Sequence, residues 1–272
     1  MKLVIRSPKK LTQFIHLFQF LKNCSENLVL LCQEEQIYIQ GMDNSHICLY
    51  ECILNKLWFD EYENTKSQNI CFNSIYFDTI LSTSTEYQDL FLYIDDHDGE
   101  EPSQLNIDLI NKADIKDPKN KSCSQYFKLN LLDINYDMME INDSTTQYIL
   151  EFTMETDVFS KIASKMLSFD SSVLFDCSDE GDRFHLLTSN TSIGDMKVDM
   201  SEVTEYSISE KEEMTVSFSL SYIYKMCLST KISKQIEFYL SREAPMKMKY
   251  DLGDKSQLLF FMAPKTMDID DN

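Results

Sequence analysis

The chain has 272 residues, 25 of them basic and 45 acidic, for a formal charge of −20. That length suits two domains of about 130 residues better than a single core, and no apolar run approaches the ~20 residues of a membrane-spanning helix. The opening segment MKLVIRSPKK has no apolar signal core, and glycines at 41, 99, 181, 194 and 253 form no phosphate loop, which disfavours nucleotide-driven enzymes.

The first strong periodicity is Phe14, Leu17, Phe18 and Leu21, an amphipathic stripe that predicts a helix over about 9–23. Alternating runs NLVLLCQ, QIYIQ and HICLYEC follow and read as strands. The segment GMDNSHICLYE (41–51) holds Asp43, Ser45 and His46, the residue types of a hydrolytic triad. Strand alternation would send Ser45 and His46 to opposite faces, whereas triad members must converge. A hydrolase reading predicts activity lost in Ser45→Ala; the reading developed below predicts no such activity.

A second helix is expected at 73–83, then a hairpin turning at Asp98-Gly99 between LFLYI and LNIDLI. The acidic turn DDHDGEE is not an EF-hand, because Ile94 and Leu105 stand where ligands should. After CSQYFKLNL (123–131) comes LLDINYDMMEINDSTTQ, acidic yet carrying Ile134, Tyr136, Met138, Met139 and Ile141. It reads as an extended connector lying on the surface.

The second half repeats the first. Phe72, Tyr76 and Leu81-Ser82-Thr83 recur as Phe218, Tyr222 and Leu228-Ser229-Thr230. Phe14, Leu17, Phe18 and Leu21 recur as Phe159, Ile162, Ala163 and Met166, and Cys32 as Cys177. Several features in one order at nearly one shift indicate a tandem duplication. Further helices are therefore expected at 156–168 and 219–230. The eight cysteines make no C-x-x-C pair and read as buried reduced thiols; no metal site and no cofactor are expected.

Charge is segregated by element. The four helical windows carry +3, −1, +1 and +2, or +5 together, leaving −25 on the rest. Gathered on one face, these lysines would contact phosphates without reading sequence; they also suffice simply to solvate amphipathic helices.

Three stretches carry a family resemblance: QGMDNSHICLYE, SREAPMKMKYDL (241–252) and FFMAPK (260–265) with its acidic tail TMDIDDN. In order, and together with the duplication, they resemble the sliding clamps of the proliferating cell nuclear antigen type, including divergent and viral members. The resemblance implies an α+β clamp fold of two similar tandem domains, 1–131 and 148–272, joined by a connector at 132–147. It implies a non-enzymatic homotrimeric ring around double-stranded DNA, opened by a clamp loader, that tethers DNA polymerase and repair proteins in a nucleus or viral replication compartment.

The same resemblance suggests site residues. The helix charge makes Lys9, Lys10, Lys22, Lys161, Lys165 and Lys225 candidates for phosphate contact, with His16 beside them; by resemblance only Lys22 and His16 align with basic positions of the family's first helix, while Thr79 and Ser82 stand where relatives often carry lysine. Subunits would join through CSQYFKLNL and SIGDMKVDM (192–200), with Tyr126, Phe127, Met196 and Val198 contributing. A groove for partner peptides ending in paired aromatics would use Met42, His46, Ile47, Met139, Ile141, Pro245, Met262, Ala263, Pro264 and Lys265. Asp179 falls near where relatives place a ubiquitinated lysine, which puts that regulation in doubt. The alternative function is a clamp-like scaffold in transcription or checkpoint control that recruits proteins without encircling DNA.

Overall fold

The computed structural model describes residues 1–43, 45–95, 102–116, 123–134, 138–139, 141, 146–181, 183–227 and 230–265. The predicted Asp98-Gly99 tip, Tyr136, Leu228-Ser229 and the acidic tail lie outside them.

In chain order the first half forms β1 (Lys2–Ile5), α1 (Pro8–Cys24), β2 (Asn27–Cys32), β3 (Gln36–Met42), β4 (Cys48–Asn55), a 3₁₀ turn (Lys56–Trp58), β5 (Glu61–Glu63), β6 (Gln68–Asn73), α2 (Ser74–Leu81), β7 (Gln88–Tyr93), β8 (Gln104–Asn111), α3 (Lys112–Lys116) and β9 (Gln125–Asn130). The second half forms β10 (Leu150–Glu155), α4 (Thr156–Leu167), β11 (Ser172–Ser178), β12 (Arg183–Asn190), β13 (Gly194–Asp199), β14 (Glu205–Ile208), β15 (Glu213–Ser219), α5 (Leu220–Cys227), β16 (Gln235–Leu240), β17 (Met246–Gly253) and β18 (Ser256–Met262). Apart from α3 and the 3₁₀ turn, the two orders correspond element by element, so the fold is α+β and duplicated.

Sheet topology repeats as well. The order β5-β1-β7-β8-β9 has its counterpart in β14-β10-β16-β17-β18, and β4-β3-β2-β6 in β13-β12-β11-β15. The chain divides into two units: Met1–Asn44, Glu51–Met139 and Leu252–Leu258, and then Ser45–Tyr50, Glu140–Asp251 and Leu259–Asn272.

Local sequence explains the helices. Ser7 caps α1 by accepting from the Lys10 N–H, Pro8 occupies the first turn where its missing donor is harmless, and the Ser25 N–H closes the last turn on Leu21 O. Asn73 caps α2 through the Ile75 and Tyr76 N–H groups. The predicted stripe Phe14, Leu17, Phe18 and Leu21 is buried in α1; in α4 Phe159, Ala163 and Met166 are buried and Ile162 is half-buried. Phe14, Phe18, Phe72 and Phe77 interlock in the first unit, with Phe18–Phe77 ring centroids 4.8 Å apart and Phe72–Phe77 4.5 Å apart. Phe152, Phe159 and Phe238 do the same in the second, Phe152 stacking on Phe238 at 4.5 Å.

All eight cysteines are free; six are buried, as the sequence suggested, but Cys24 is half-buried and Cys123 is exposed, against that expectation. Burial pushes the Cys177 thiol up to about 11 and Cys32 to about 12, so both stay protonated and unreactive near neutral pH.

One expectation is corrected. His46 is not in a strand: β4 starts at Cys48, and His46 sits in the preceding turn with φ of 55°. The chain reverses there between β3 and β4, and His46 adopts the left-handed conformation that the reversal requires.

The β1–β5 edge is tied by charge. Glu61 accepts from Arg6 and from Lys2, the latter at 2.9 Å, and these partners lower its carboxyl from the ordinary 4.5 to about 2. A lowered carboxyl contributes stability above its unfolded value and loses it as pH falls through its folded one. Glu61→Gln is therefore expected to melt below the parent at pH 7, the two curves converging between about pH 4.5 and pH 2. Asp89, raised chiefly by burial despite Lys112 and Arg6, acts with opposite sign: its ionisation above pH 3.8 removes stability. A gap between Glu61→Gln and parent that is undiminished at pH 2 would contradict the assignment.

Candidate nucleic-acid and partner interfaces

Within the first unit α1 lies against α2, and within the second α4 lies against α5. Each pair turns its apolar stripe inward, so the remaining face is the solvent side. The six candidate lysines and His16 lie on these helices but are unequally available. Lys9 and Lys165 are exposed, and Lys225 is exposed above the Tyr222 ring at 5.4 Å. Lys10 is held three ways, by Asp254 at 2.7 Å, by Trp58 O at 2.7 Å and over the Trp58 ring at 5.6 Å. Lys22 on α1 pairs with Asp78 on α2 at 2.5 Å. Lys161 pairs with Asp157 one turn away, also at 2.5 Å. His16 is half-buried and meets the Gln19 side chain at 2.8 Å. The solvent face of α2 carries Ile75, Tyr76 and Thr79 and no cation.

Sequence reasoning missed Asp78 and Asp254 as partners. Asp78 is visible in the α2 window, but nothing in spacing pairs it with a lysine 56 positions earlier.

The two predicted joining segments are both edge strands, β9 and β13. The Leu131 N–H donates to Ser103 O at 2.9 Å. Antiparallel pairs alternate, so Phe127 and Leu129 turn their backbone groups toward β8, while Tyr126 and Lys128 turn theirs away. Likewise the Met200 N–H donates to Phe184 O at 3.1 Å, which leaves the Lys197 and Asp199 backbone facing away from β12. Tyr126 is 69% exposed; Phe127, Met196 and Val198 are half-buried. Beside β13, a cleft of about 400 Å³ is lined by Val158, Ile162, Val198 and Met200, with Lys161 and Lys165 among its walls.

The groove candidates divide between the units. In the first, Met42 ends β3 half-buried, and Met139 is docked onto the same strand: its N–H donates to the Gln40 side chain at 2.9 Å and its carbonyl accepts from it at 2.8 Å. Gln40 is a clamp on the connector that sequence reasoning missed; a polar residue buried within an apolar strand was the available signal. The connector also starts on a sheet edge, the Leu132 N–H donating to Cys71 O at 2.8 Å.

In the second unit the Ala263 N–H donates to Ile47 O at 3.3 Å, bringing those two candidates together. Lys265 is anchored by its N–H on Ser217 O, 2.8 Å, and by its ammonium on the Ser172 hydroxyl. His46, Pro245, Ala263 and Lys265 are exposed, and Ile141 and Pro264 are half-buried. Met262 is a correction: it is fully buried, because β18 is covered on both faces from Leu258 to Met262, and its side chain faces no solvent.

Family models cover nearly all of this architecture. "Proliferating cell nuclear antigen, N-terminal domain" matches residues 9–140, and "Proliferating cell nuclear antigen, C-terminal domain" matches residues 140–265. Similar proteins include the proliferating cell nuclear antigen of Chaetomium thermophilum, 26% identical over 87% of this chain and 88% of the relative. Proliferating cell nuclear antigen 2 of Plasmodium falciparum is 26% identical over 94% and 96%. A probable DNA polymerase sliding clamp of Autographa californica nuclear polyhedrosis virus is 25% identical over 88% of each chain. With both domain models matched in order onto a duplicated α+β fold, the chain belongs to the proliferating cell nuclear antigen family.

Proposed function

We propose that this chain is a DNA sliding clamp and polymerase processivity factor. The observation that carries the reading is that both predicted joining segments, β9 in one unit and β13 in the other, end their sheets, on a protein whose repeated helices present exposed lysines. An unpaired edge of that length invites pairing with another chain. Two different edges make a head-to-tail contact, which closes into a ring when the rotation permits. Three copies would build a ring of six similar units, with the connector at 132–147 joining the two units of each chain.

In this reading the helices face duplex DNA, and Lys9, Lys165 and Lys225 touch phosphates. Contact is non-specific and salt-sensitive, so the ring slides and its topology supplies the processivity. Polymerase and repair proteins dock short aromatic-ended motifs on the groove candidates of the units, Met42 and Met139 in the first and Ile47, Ile141, Pro245 and Ala263 in the second, and a loader opens the ring where DNA is replicated, in a nucleus or viral replication compartment. The family acts without catalysis, so Asp43, Ser45 and His46 form no hydrolytic site.

Two measurements test the proposal. Light scattering is expected to return about three times the 31.9 kDa chain mass. On primed circular DNA, added clamp with its loader is expected to lengthen polymerase products. A single-chain mass together with unchanged products would overturn the reading. One observation favours the scaffold alternative: Lys10, Lys22 and Lys161 already have carboxylate partners. That reading predicts an assembled mass with no gain in product length.

A further inference from the structure

We infer that Lys22 is an internal latch rather than a phosphate contact, and that the duplex is held mainly by lysines of the second unit. The inference rests on the sliding-clamp reading and assigns the work within it.

Burial separates two of the helix lysine pairs. Lys22–Asp78 and Lys161–Asp157 are both 2.5 Å long, yet they are not equivalent. The Asp78 side chain is only 9% exposed, and its second oxygen, Oδ1, has no hydrogen-bond partner among the described residues. Drawing Lys22 away to a phosphate would strand a buried carboxylate with no compensating charge. Breaking a buried pair in that way costs far more than one screened phosphate contact returns. Lys161 and Asp157 are 69% and 62% exposed, one helical turn apart, so their pairing is weak and yields readily to a phosphate.

The same reasoning retains Lys10, whose ammonium also serves the Trp58 carbonyl and ring. Of the candidate lysines on α1, Lys9 is the one left, beside an α2 face of Ile75, Tyr76 and Thr79 that carries no cation. The second unit offers Lys161, Lys165 and Lys225, with exposed Lys231 just past α5. Lys22 instead joins α1 to α2 and positions that helix pair.

The test is the salt dependence of binding to a random-sequence duplex, measured on the assembled protein. Losing a phosphate contact is expected to flatten the plot of log K against log salt by up to about 0.9 for each phosphate given up. Lys165→Gln and Lys225→Gln should each flatten it. Lys22→Gln should leave the slope at the parent value while lowering the melting temperature. Because that variant could fold poorly, the paired change Lys22→Gln with Asp78→Asn, which removes both charges, provides the second reading and should also keep the parent slope. Asp78→Asn alone releases Lys22 and should steepen the slope. A flattened slope in the paired variant, matching that of Lys165→Gln, would overturn the assignment. Absence of any salt-dependent binding by an assembled parent would instead overturn the clamp reading, and this assignment with it.

Discussion

Lys128→Pro is expected to leave each subunit folded but reduce the particle to single-chain mass, with loss of any extension of polymerase products. The phase of β9 makes this selective. Because Leu131 bonds to Ser103, the Lys128 N–H and C=O point away from β8, toward the side a neighbour would occupy. Proline there removes only an outward donor, which an edge strand tolerates, and its fixed φ suits extended backbone. The preceding residue, Phe127, is already in a strand, as proline requires of it. Within one subunit the cost is therefore small. At the contact, a neighbouring carbonyl loses its partner and meets a ring, costing about 1–3 kcal/mol for the unsatisfied group alone. In the proposed three-membered ring that loss recurs at every junction, so the particle mass should fall.

Lys197→Pro probes the facing edge by the same logic, since the Met200–Phe184 bond leaves Lys197 pointing away from β12. Phe127→Pro is the contrasting control. Its backbone pairs with Ile107, so it should lower subunit stability as well as assembly. Light scattering reports mass and a thermal melt reports folding. An unchanged particle mass in both Lys128→Pro and Lys197→Pro would show that subunits do not join through these strands.

The largest expected loss of stability is from Phe77→Ala. Phe77 is fully buried among three other rings, 4.8 Å from Phe18, 4.5 Å from Phe72 and 6.4 Å from Phe14. Truncation removes the transfer energy of the ring and leaves a void that α1, α2 and β6 cannot collapse into without breaking their own packing. Such changes cost about 3–5 kcal/mol. For units of this size that lowers the melting temperature by roughly 10–20 °C. Tyr76, adjacent in sequence but 64% exposed, provides the comparison: Tyr76→Ala should stay within about 0.5 kcal/mol of the parent. Equal effects of the two substitutions would mean that the aromatic cluster does not hold the helix pair in place.

These two predictions draw on different kinds of information. The stripe Phe14, Leu17, Phe18 and Leu21, its copy at Phe159, Ile162, Ala163 and Met166, and the alternation in CSQYFKLNL were legible because helix and strand periods are local properties of the chain. The duplication followed from the same patterns, and the family resemblance from short contiguous motifs. The turn at His46 was not legible, since the run HICLYEC alternates like a strand through the very residues that bend. Met262 could have been read correctly: the unbroken apolar run Leu258 to Met262 already signalled a strand buried on both faces.

Sequence alone therefore determined where the four long helices and most strands form, that the unit is written twice, and where cations concentrate. Only the tertiary structure decided which of those cations are available, because a charge's partner is set by distance in space. Asp78 lies 56 positions from Lys22 and Asp254 lies 244 from Lys10. No period or motif links residues so far apart. Packing α1 against α2 both brings Asp78 to Lys22 and strips it of water, and that burial turns an ordinary surface lysine into a fixed structural one.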